Sequence, residues 1–376
     1  MKNLRLSRVA LAFGAGSLAF ALTACGSDNA VPNTENEETP EETAAEATGE
    51  ELSGSLAGAG ASSQEAAMNA WIAKYQGVQP GVTVSYEPVG SGAGITQFID
   101  KQVAWAGSDA VLEGDEITAA EERCGGPAIN LPVYISPVAV IFNLEGVDNL
   151  NMDAETIAKV FAGEITNWND PAIADQNPDV ELPDLAITPV HRADKSGTTE
   201  NFTDYLNKAA PEAWPHEPDK AWPIEGGESG DKTAGLVQAV NQGEGTIGYA
   251  DASQAGDLGT VALQAGDGYI AFSNEAAATA ADAAERVESG VEGDLGLEVN
   301  RKPEDAGAYP MVMISYAIVC TTYEDEETAN LVKDFIGFQV SEEGQAAAEE
   351  AAGSAPLSST MRDEVMKSLD MIGAAQ

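Results

Sequence analysis

The sequence predicts an α/β protein large enough for two domains, and three observations carry that expectation. Short apolar, strand-like runs alternate along the chain with amphipathic, helix-like stretches, the pattern that builds α/β layers around largely parallel sheets. Behind a distinctive N-terminus about 320 residues remain, enough for two cores. No self-similarity appears at the periods that mark solenoid repeats.

The elements follow in order. Ser55–Gly58 starts a strand, and 63–75 places Ala66, Ala67, Ala70, Trp71 and Tyr75 on one helical face. Residues 82–89 alternate as a strand, 94–101 read as a helix, and 103–107 as a strand running into Ser108-Asp109. Residues 132–143 form a long β-rich run. Asp153 caps a helix whose inner face is Ile157, Val160 and Phe161, and Gly163 stops it. Then come a strand at 187–191, a helix at 198–206 with Phe202, Tyr205 and Leu206 inside, a helix at 233–241 and a strand at 246–249. A strand at 311–321 and a mostly helical stretch at 328–352 complete the pattern.

The N-terminus reads as a targeting segment. Lys2, Arg5 and Arg8 precede an apolar stretch from Val9 to Ala21, too short and too rich in Gly and Ala for a good membrane-spanning helix. Leu22-Thr23-Ala24-Cys25 follows. Segment 1–24 is similar to a bacterial lipoprotein signal peptide, in which the cysteine becomes the lipid-carrying mature N-terminus; the alternative is an ordinary secretory signal with a chance cysteine. Residues 26–53 hold nine acidic residues and no basic one, with much Thr, Ala, Pro and Asn, and cannot bury enough apolar surface to order. Segment 25–53 is therefore expected to be a lipidated cysteine on a disordered acidic tether, with an acidic interaction tail as the other reading.

Removing 1–24 removes three basic residues and no acidic one, so the net charge of −44 becomes −47. That excludes nucleic acid and electrostatic attachment to acidic lipid, and leaves the lipid anchor as the only expected membrane contact. An anion site on such a chain must work through short-range hydrogen bonds, with the surface charge screened within roughly 10 Å. Cys25 is assigned to lipid. Cys124 and Cys320 remain, and a disulfide is the natural reading in an oxidising compartment, against two buried thiols. His191 and His216 do not stand at ligand spacing to either cysteine, so neither a metal nor another cofactor is expected.

Three loops carry the chemistry: Gly58-Ala59-Gly60-Ala61-Ser62-Ser63, Gly90-Ser91-Gly92-Ala93-Gly94 and Arg192-Ala193-Asp194-Lys195-Ser196-Gly197-Thr198-Thr199. Each offers hydroxyls and backbone N–H groups ahead of a helix-like stretch, and helix starts attract anions. Together they suggest a cage for a small tetrahedral oxyanion. Arg192 could fork onto such an anion, or could sit in a structural ion pair. Ser196 to Thr199 also read as a plain helix cap, and a cap still exposes first-turn N–H groups. Asp194 is expected to orient Arg192 or its neighbours rather than touch ligand, and Lys195 could add charge or simply be solvated. Asp109 is the informative oddity. A carboxylate only accepts, so it repels sulfate but can take the proton that phosphate still carries at neutral pH. Leaving it unpaired costs about 1–3 kcal/mol. The alternative is a capping aspartate after a strand. His191 near Ser196 lacks a third group, and no Gly-x-Ser-x-Gly elbow is present, so no enzyme is expected.

With those residues in place, the chain resembles the phosphate-binding protein of the bacterial Pst-type ABC importer. The matching pieces, in family order, are Gly58 to Ser62, Gly90 to Gly94, Ala106-Gly107-Ser108-Asp109-Ala110, Gly163-Glu164-Ile165-Thr166-Asn167-Trp168, Arg192 to Thr198 and Gly245-Thr246-Ile247-Gly248-Tyr249, and the likeness covers roughly 54–376. The resemblance implies a two-lobed periplasmic-binding-protein (type II) fold with the ligand cleft between the lobes. Lobe 1 would be 54–136 plus 312–376, and lobe 2 would be 137–311. It implies phosphate contacts at Ser62, the N–H of Ser63, Ser91, Asp109, Arg192, Ser196, Gly197 and Thr198, with Cys124–Cys320 stapling lobe 1 near the crossover. It further implies a monomer, lipid-anchored to the outer face of the cell membrane, that delivers inorganic phosphate to ABC permease subunits. Ser63 replaces an aromatic common in the family, Val111 replaces a proline, and the acidic, Ala-rich insert 274–298 lies outside the motif set. The competing readings are a receptor for sulfate or molybdate, a phosphate-ester hydrolase, and a surface sensor on the same fold.

Overall fold

β1 (Ser53–Gly60) pairs in parallel with β2 (Gly81–Glu87) on one side and β3 (Trp105–Ser108) on the other. The computed structural model describes residues 51–375; the signal segment 1–24, Cys25 and nearly all of the tether lie outside the described residues. β1 starts at Ser53, one residue inside the expected tether. The crossovers between the strands are α1 (Glu65–Val78) and α2 (Ser91–Ile99). α1 buries Ala67, Met68, Trp71 and Tyr75, while the expected Ala66 and Ala70 are half-buried at the edge of that face. The Trp71 indole N–H donates to the Gly344 carbonyl at 2.7 Å, tying α1 to a C-terminal helix.

α3 (Asp115–Cys124) was not legible from periodicity, because only Ala120 and Cys124 on it are buried. Its charges fit a helix nonetheless, with Asp115 and Glu116 in the first turn and Arg123 in the last. β4 (Ala128–Phe142) is the long apolar run, buried along nearly its whole length. Its first part pairs antiparallel with the strand Val312–Cys320, from Ala128 opposite Cys320 to Pro137 opposite Val312. Its last part pairs antiparallel with the strand Thr246–Asp251, from Val138 opposite Asp251 to Phe142 opposite Ile247. One strand thus serves two sets of partners, and the hand-over falls between Pro137 and Val138.

The sheet is mixed rather than largely parallel. Parallel pairing holds at β1–β2 and β1–β3, and again where Thr188–Arg192 lies between Thr246–Asp251 and Glu228–Gly230. The centre is antiparallel because the chain goes out along β4 and comes back along Val312–Cys320, and an outward and a returning strand run in opposite directions.

Local signals behave as their chemistry dictates. The Asp153 carboxylate accepts from Thr156 N–H at 2.7 Å, Ile157, Val160 and Phe161 are buried, and the chain turns away at Gly163 with φ +75°. The single helical stretch expected over 328–352 is two helices, Glu326–Val340 and Glu342–Ala352. They are broken at Ser341, whose extended ψ of 164° ends one helix and whose hydroxyl caps Gly344. A further helix, Ser359–Leu369, follows. In the insert 274–298, the helix Asn274–Asp282 buries Ala276, Ala277, Ala280 and Ala281 against β4 and the returning strand, so its alanines are a close-packing face.

Cys124 ends α3 and Cys320 ends the returning strand; they form a disulfide with Cα atoms 5.4 Å apart. It closes a loop of 196 residues. In the chain-entropy model such a loop contributes up to about 5 kcal/mol. Reduction, or Cys124→Ser with Cys320→Ser, is expected to lower the melting temperature of the folded protein clearly; calorimetry showing the same melting temperature with and without reductant would contradict this.

Candidate functional site

The ends of β1, β3 and Thr188–Arg192 meet, and glycines let them come close. A Cβ on Gly60, which has φ +152°, would stand 1.9 Å from the Gly107 carbonyl oxygen. One on Gly94 would stand 2.3 Å from the Gly60 Cα. The glycines of the first two loops therefore serve packing, and that packing brings Ser62, Ser63, Ser91 and Asp109 into one buried cluster.

Arg192 ends its strand with a guanidinium that is almost fully buried. Nε and Nη2 donate to the two oxygens of Asp194 at 2.7 and 2.6 Å, a bidentate pair. The remaining edge faces hydroxyls: Nη2 reaches Ser62 Oγ and Nη1 reaches Thr233 Oγ1, both at 3.3 Å. Burial pushes the Asp194 carboxyl up, but the Arg192 fork outweighs it and holds the group below its ordinary value. Asp194 thus orients Arg192, as expected. Lys195 is exposed, the solvated one of its two readings.

Ser196 is the N-cap of the helix Gly197–Ala209, with its hydroxyl accepting from Thr199 N–H at 3.3 Å. Gly197 lies so close to the other loops that a Cβ would be 2.8 Å from both Asp109 Cβ and Ser91 Oγ. The Thr198 hydroxyl donates to Asp109 Oδ2 at 3.0 Å. Ser91 Oγ accepts from the Asp109 backbone N–H at 3.2 Å. All eight residues expected at the site therefore lie in one buried cluster.

Asp109 is its centre. Ser63 donates to Oδ1 at 2.7 Å and Oδ2 at 2.8 Å, and Ser315 donates to Oδ1 at 2.8 Å. Burial pushes this carboxyl up; the hydroxyls of Ser63, Ser315 and Thr198 and the charge of Arg192 pull it down without fully compensating.

Sequence reasoning missed several neighbours. Thr233, at the start of the helix Lys232–Gln242, brings its hydroxyl within 2.9 Å of Ser62 Oγ and donates its N–H to the same oxygen at 3.1 Å. Asn201 donates to the Asp109 carbonyl, and Gln254 to the Ser62 carbonyl. Tyr249 takes the Arg192 N–H and bonds Thr199. One signal was available for Ser315: it is a polar residue inside an otherwise apolar, fully buried strand. His191 stacks on Trp222 at 5.1 Å, and its ring nitrogens face the carbonyls of Arg192 and Gly226, so it forms no dyad with Ser196.

Behind the cluster, Glu200 lies buried on the same helix, 3.4 Å from the Lys220 ammonium, which also reaches Glu116 at 3.2 Å. Burial pushes the Glu200 carboxyl up to about 7 against the pull of Lys220.

An α/β fold whose strand ends gather helix starts, hydroxyls and one oriented arginine around a buried carboxylate defines a solute-binding protein of the periplasmic-binding type. Comparison with known proteins agrees. A family model described as a PBP superfamily domain matches residues 43–343. The phosphate-binding protein PstS 3 of Mycobacterium tuberculosis is 36% identical over 340 residues, covering 89% of this chain and 90% of its own. A high-affinity periplasmic phosphate-binding protein solved with phosphate shares the fold at a TM-score of 0.68 and 20% identity, covering 84% of this chain and 93% of its own. The phosphate-binding protein from Stenotrophomonas maltophilia does so at 0.67 and 18%, with the same coverage. The chain belongs to the PstS family of phosphate-binding proteins, which bind their substrate without catalysis.

Glu200 generates a pH prediction. Its folded-state value of about 7 exceeds the ordinary 4.5, so the folded state holds the extra proton between them. Stability therefore falls as pH rises from about 4.5 towards 7, by on the order of 2–3 kcal/mol. Glu200→Gln should flatten that slope in denaturant titrations; an unchanged slope would locate the titration elsewhere.

Proposed function

We propose that this protein captures inorganic phosphate outside the cytoplasm and delivers it to the transmembrane permease subunits of an ABC importer. The observation that carries the reading is the buried acceptor Asp109 among donors beside Arg192. Arg192 supplies charge; Ser62, Ser91 and Ser196 offer hydroxyls; and the N–H groups of residues 63, 197 and 198 add donors, Thr198 serving through its N–H because its hydroxyl proton, expected for the anion, goes to Asp109. Thr233 joins this set through its hydroxyl, next to the open edge of Arg192. Asp109 takes the proton of hydrogen phosphate, which sulfate lacks at neutral pH. Charge-assisted hydrogen bonds contribute about 1.5–3 kcal/mol each. A handful offsets desolvation and closure and leaves micromolar binding or tighter, which needs about −8 kcal/mol.

The proposed lobes are 54–136 plus 312–376 and 137–311, a division supported by the change of β4 partners between Pro137 and Val138. Closure of the lobes would bury the ligand. Segment 1–24 would be removed, Cys25 would carry the lipid that holds the protein at the outer face of the membrane, and the receptor would act as a monomer.

Titration calorimetry with phosphate, sulfate, molybdate and arsenate tests the reading. One-to-one phosphate binding with sulfate silent at neutral pH is expected. Asp109→Asn should weaken phosphate by about 10- to 100-fold, one charge-assisted bond, and narrow its margin over sulfate. A folded protein that gives no heat with phosphate would overturn the function; Asp109→Asn with unchanged affinity and selectivity would remove that residue from the site.

A further inference from the structure

Asp109 is surrounded in an unusual way for a group whose task is to accept one proton from a ligand. A carboxylate has about four lone-pair positions. Ser63, Ser315 and Thr198 approach them from three separate parts of the chain: the turn before α1, the strand Val312–Cys320 and the helix Gly197–Ala209. A hydroxyl carries one proton. The protons of Ser63 and Ser315 are both given to Asp109, so neither side chain can donate to a bound anion at the same time. Among the described residues the Ser315 hydroxyl bonds Asp109 alone.

We propose that Ser315 and Ser63 are specificity-determining residues that act through Asp109. By donating their only protons to its carboxylate they keep it an acceptor with one position open, so that the site takes an oxyanion carrying a proton and refuses one without. This rests on the phosphate reading of the site and extends it to residues that position the discriminating group.

The physical reason is the behaviour of a buried carboxyl. Burial favours the neutral acid, and hydrogen bonds donated to the ionised form oppose that. Ser63 is the largest opposing influence, followed by Ser315, Thr198 and the charge of Arg192. A neutral Asp109 would carry an O–H. It could then donate to sulfate, and the discrimination would be lost. The other ionisable groups facing Asp109 are Tyr86 from β2, with Glu65 nearby, and Asp251 at the end of Thr246–Asp251, a buried carboxyl pushed up to about 6. On its other side Asp109 lines a cavity of about 350 Å³ with Glu113 from the following loop, and with Glu200, Asp204 and Lys208 from the helix Gly197–Ala209. Glu298, Arg301 and Tyr316 also line that cavity. These groups are the same in wild type and variants, so a difference between them isolates the serine.

The test uses Ser315→Ala and Ser63→Ala in the whole protein. Two quantities are followed from pH 4 to 8.5: the carboxyl 13C shift of Asp109, assigned with Asp109→Asn, and the heat of sulfate binding. Losing one donated bond should raise the Asp109 midpoint by about one pH unit. Sulfate binding should begin, on acidification, about one pH unit higher than in wild type. Midpoints and sulfate profiles that coincide with wild type in both folded variants would overturn the proposal. So would a midpoint that moves while sulfate stays silent at every pH, since Asp109 would then not govern the discrimination. If one variant fails to fold, the other gives the same readout. If wild type binds no phosphate at any pH, the receptor reading fails, and the Asp109 midpoints still decide whether the serines hold its charge.

Discussion

A carboxylate taken out of water must be satisfied where it lies, and that constraint organises this protein. Asp109 draws hydroxyls from the turn before α1, from the strand Val312–Cys320 and from the helix Gly197–Ala209, while its backbone N–H and carbonyl bond Ser91 and Asn201. These partners come from four separate parts of the chain, with Thr198 and Asn201 sharing one helix, so those parts must arrive together for the whole set to be satisfied. A buried polar network of this kind is stabilising only when complete, and it specifies one arrangement of the chain around it.

Arg192 and Asp194 solve the complementary problem. A buried guanidinium needs a counter-charge, and Asp194 provides it from two residues along the same loop, through two short parallel bonds. The pair leaves the far edge of the guanidinium facing Ser62 and Thr233. Fixing an arginine by a neighbour in sequence removes the entropy of orienting it when a ligand arrives, the usual route by which preorganisation raises affinity. On a chain with a net charge of −44, the local placement of this buried cation matters more than the long-range field, which is unfavourable to anions.

The fold places these groups through β4. Its first part belongs to the pairing with Val312–Cys320 and its last part to the pairing with Thr246–Asp251, so the strand ends bearing Asp109 and Arg192 are carried by parts of one continuous sheet. The disulfide at the far end of the returning strand, between Cys124 and Cys320, closes a loop of 196 residues in that arrangement.

Much of this was legible in the residues themselves. Local signals act through neighbours in sequence, so they read correctly: the Asp153 cap, the stop at Gly163, the buried run of β4, the Asp194 that orients Arg192. The order of the glycine and hydroxyl loops, together with Arg192 and Asp109, pointed to one site because each loop carries its own chemistry. Where the signal depended on partners distant in the chain, it failed. α3 shows little apolar periodicity because one short edge of it is buried. The antiparallel centre of the sheet follows from the path of the chain out and back, which no local pattern encodes. Ser315 stands out only as a polar residue in a buried strand and Thr233 is an ordinary hydroxyl at a helix start, and nothing local says that they face a carboxylate 206 residues away and a guanidinium 41 residues away in sequence. Sequence by itself determined which residues could form a charged, hydroxyl-lined anion site. Tertiary packing decided which hydroxyls serve the carboxylate, because a hydroxyl has one proton and only the three-dimensional arrangement chooses where it goes.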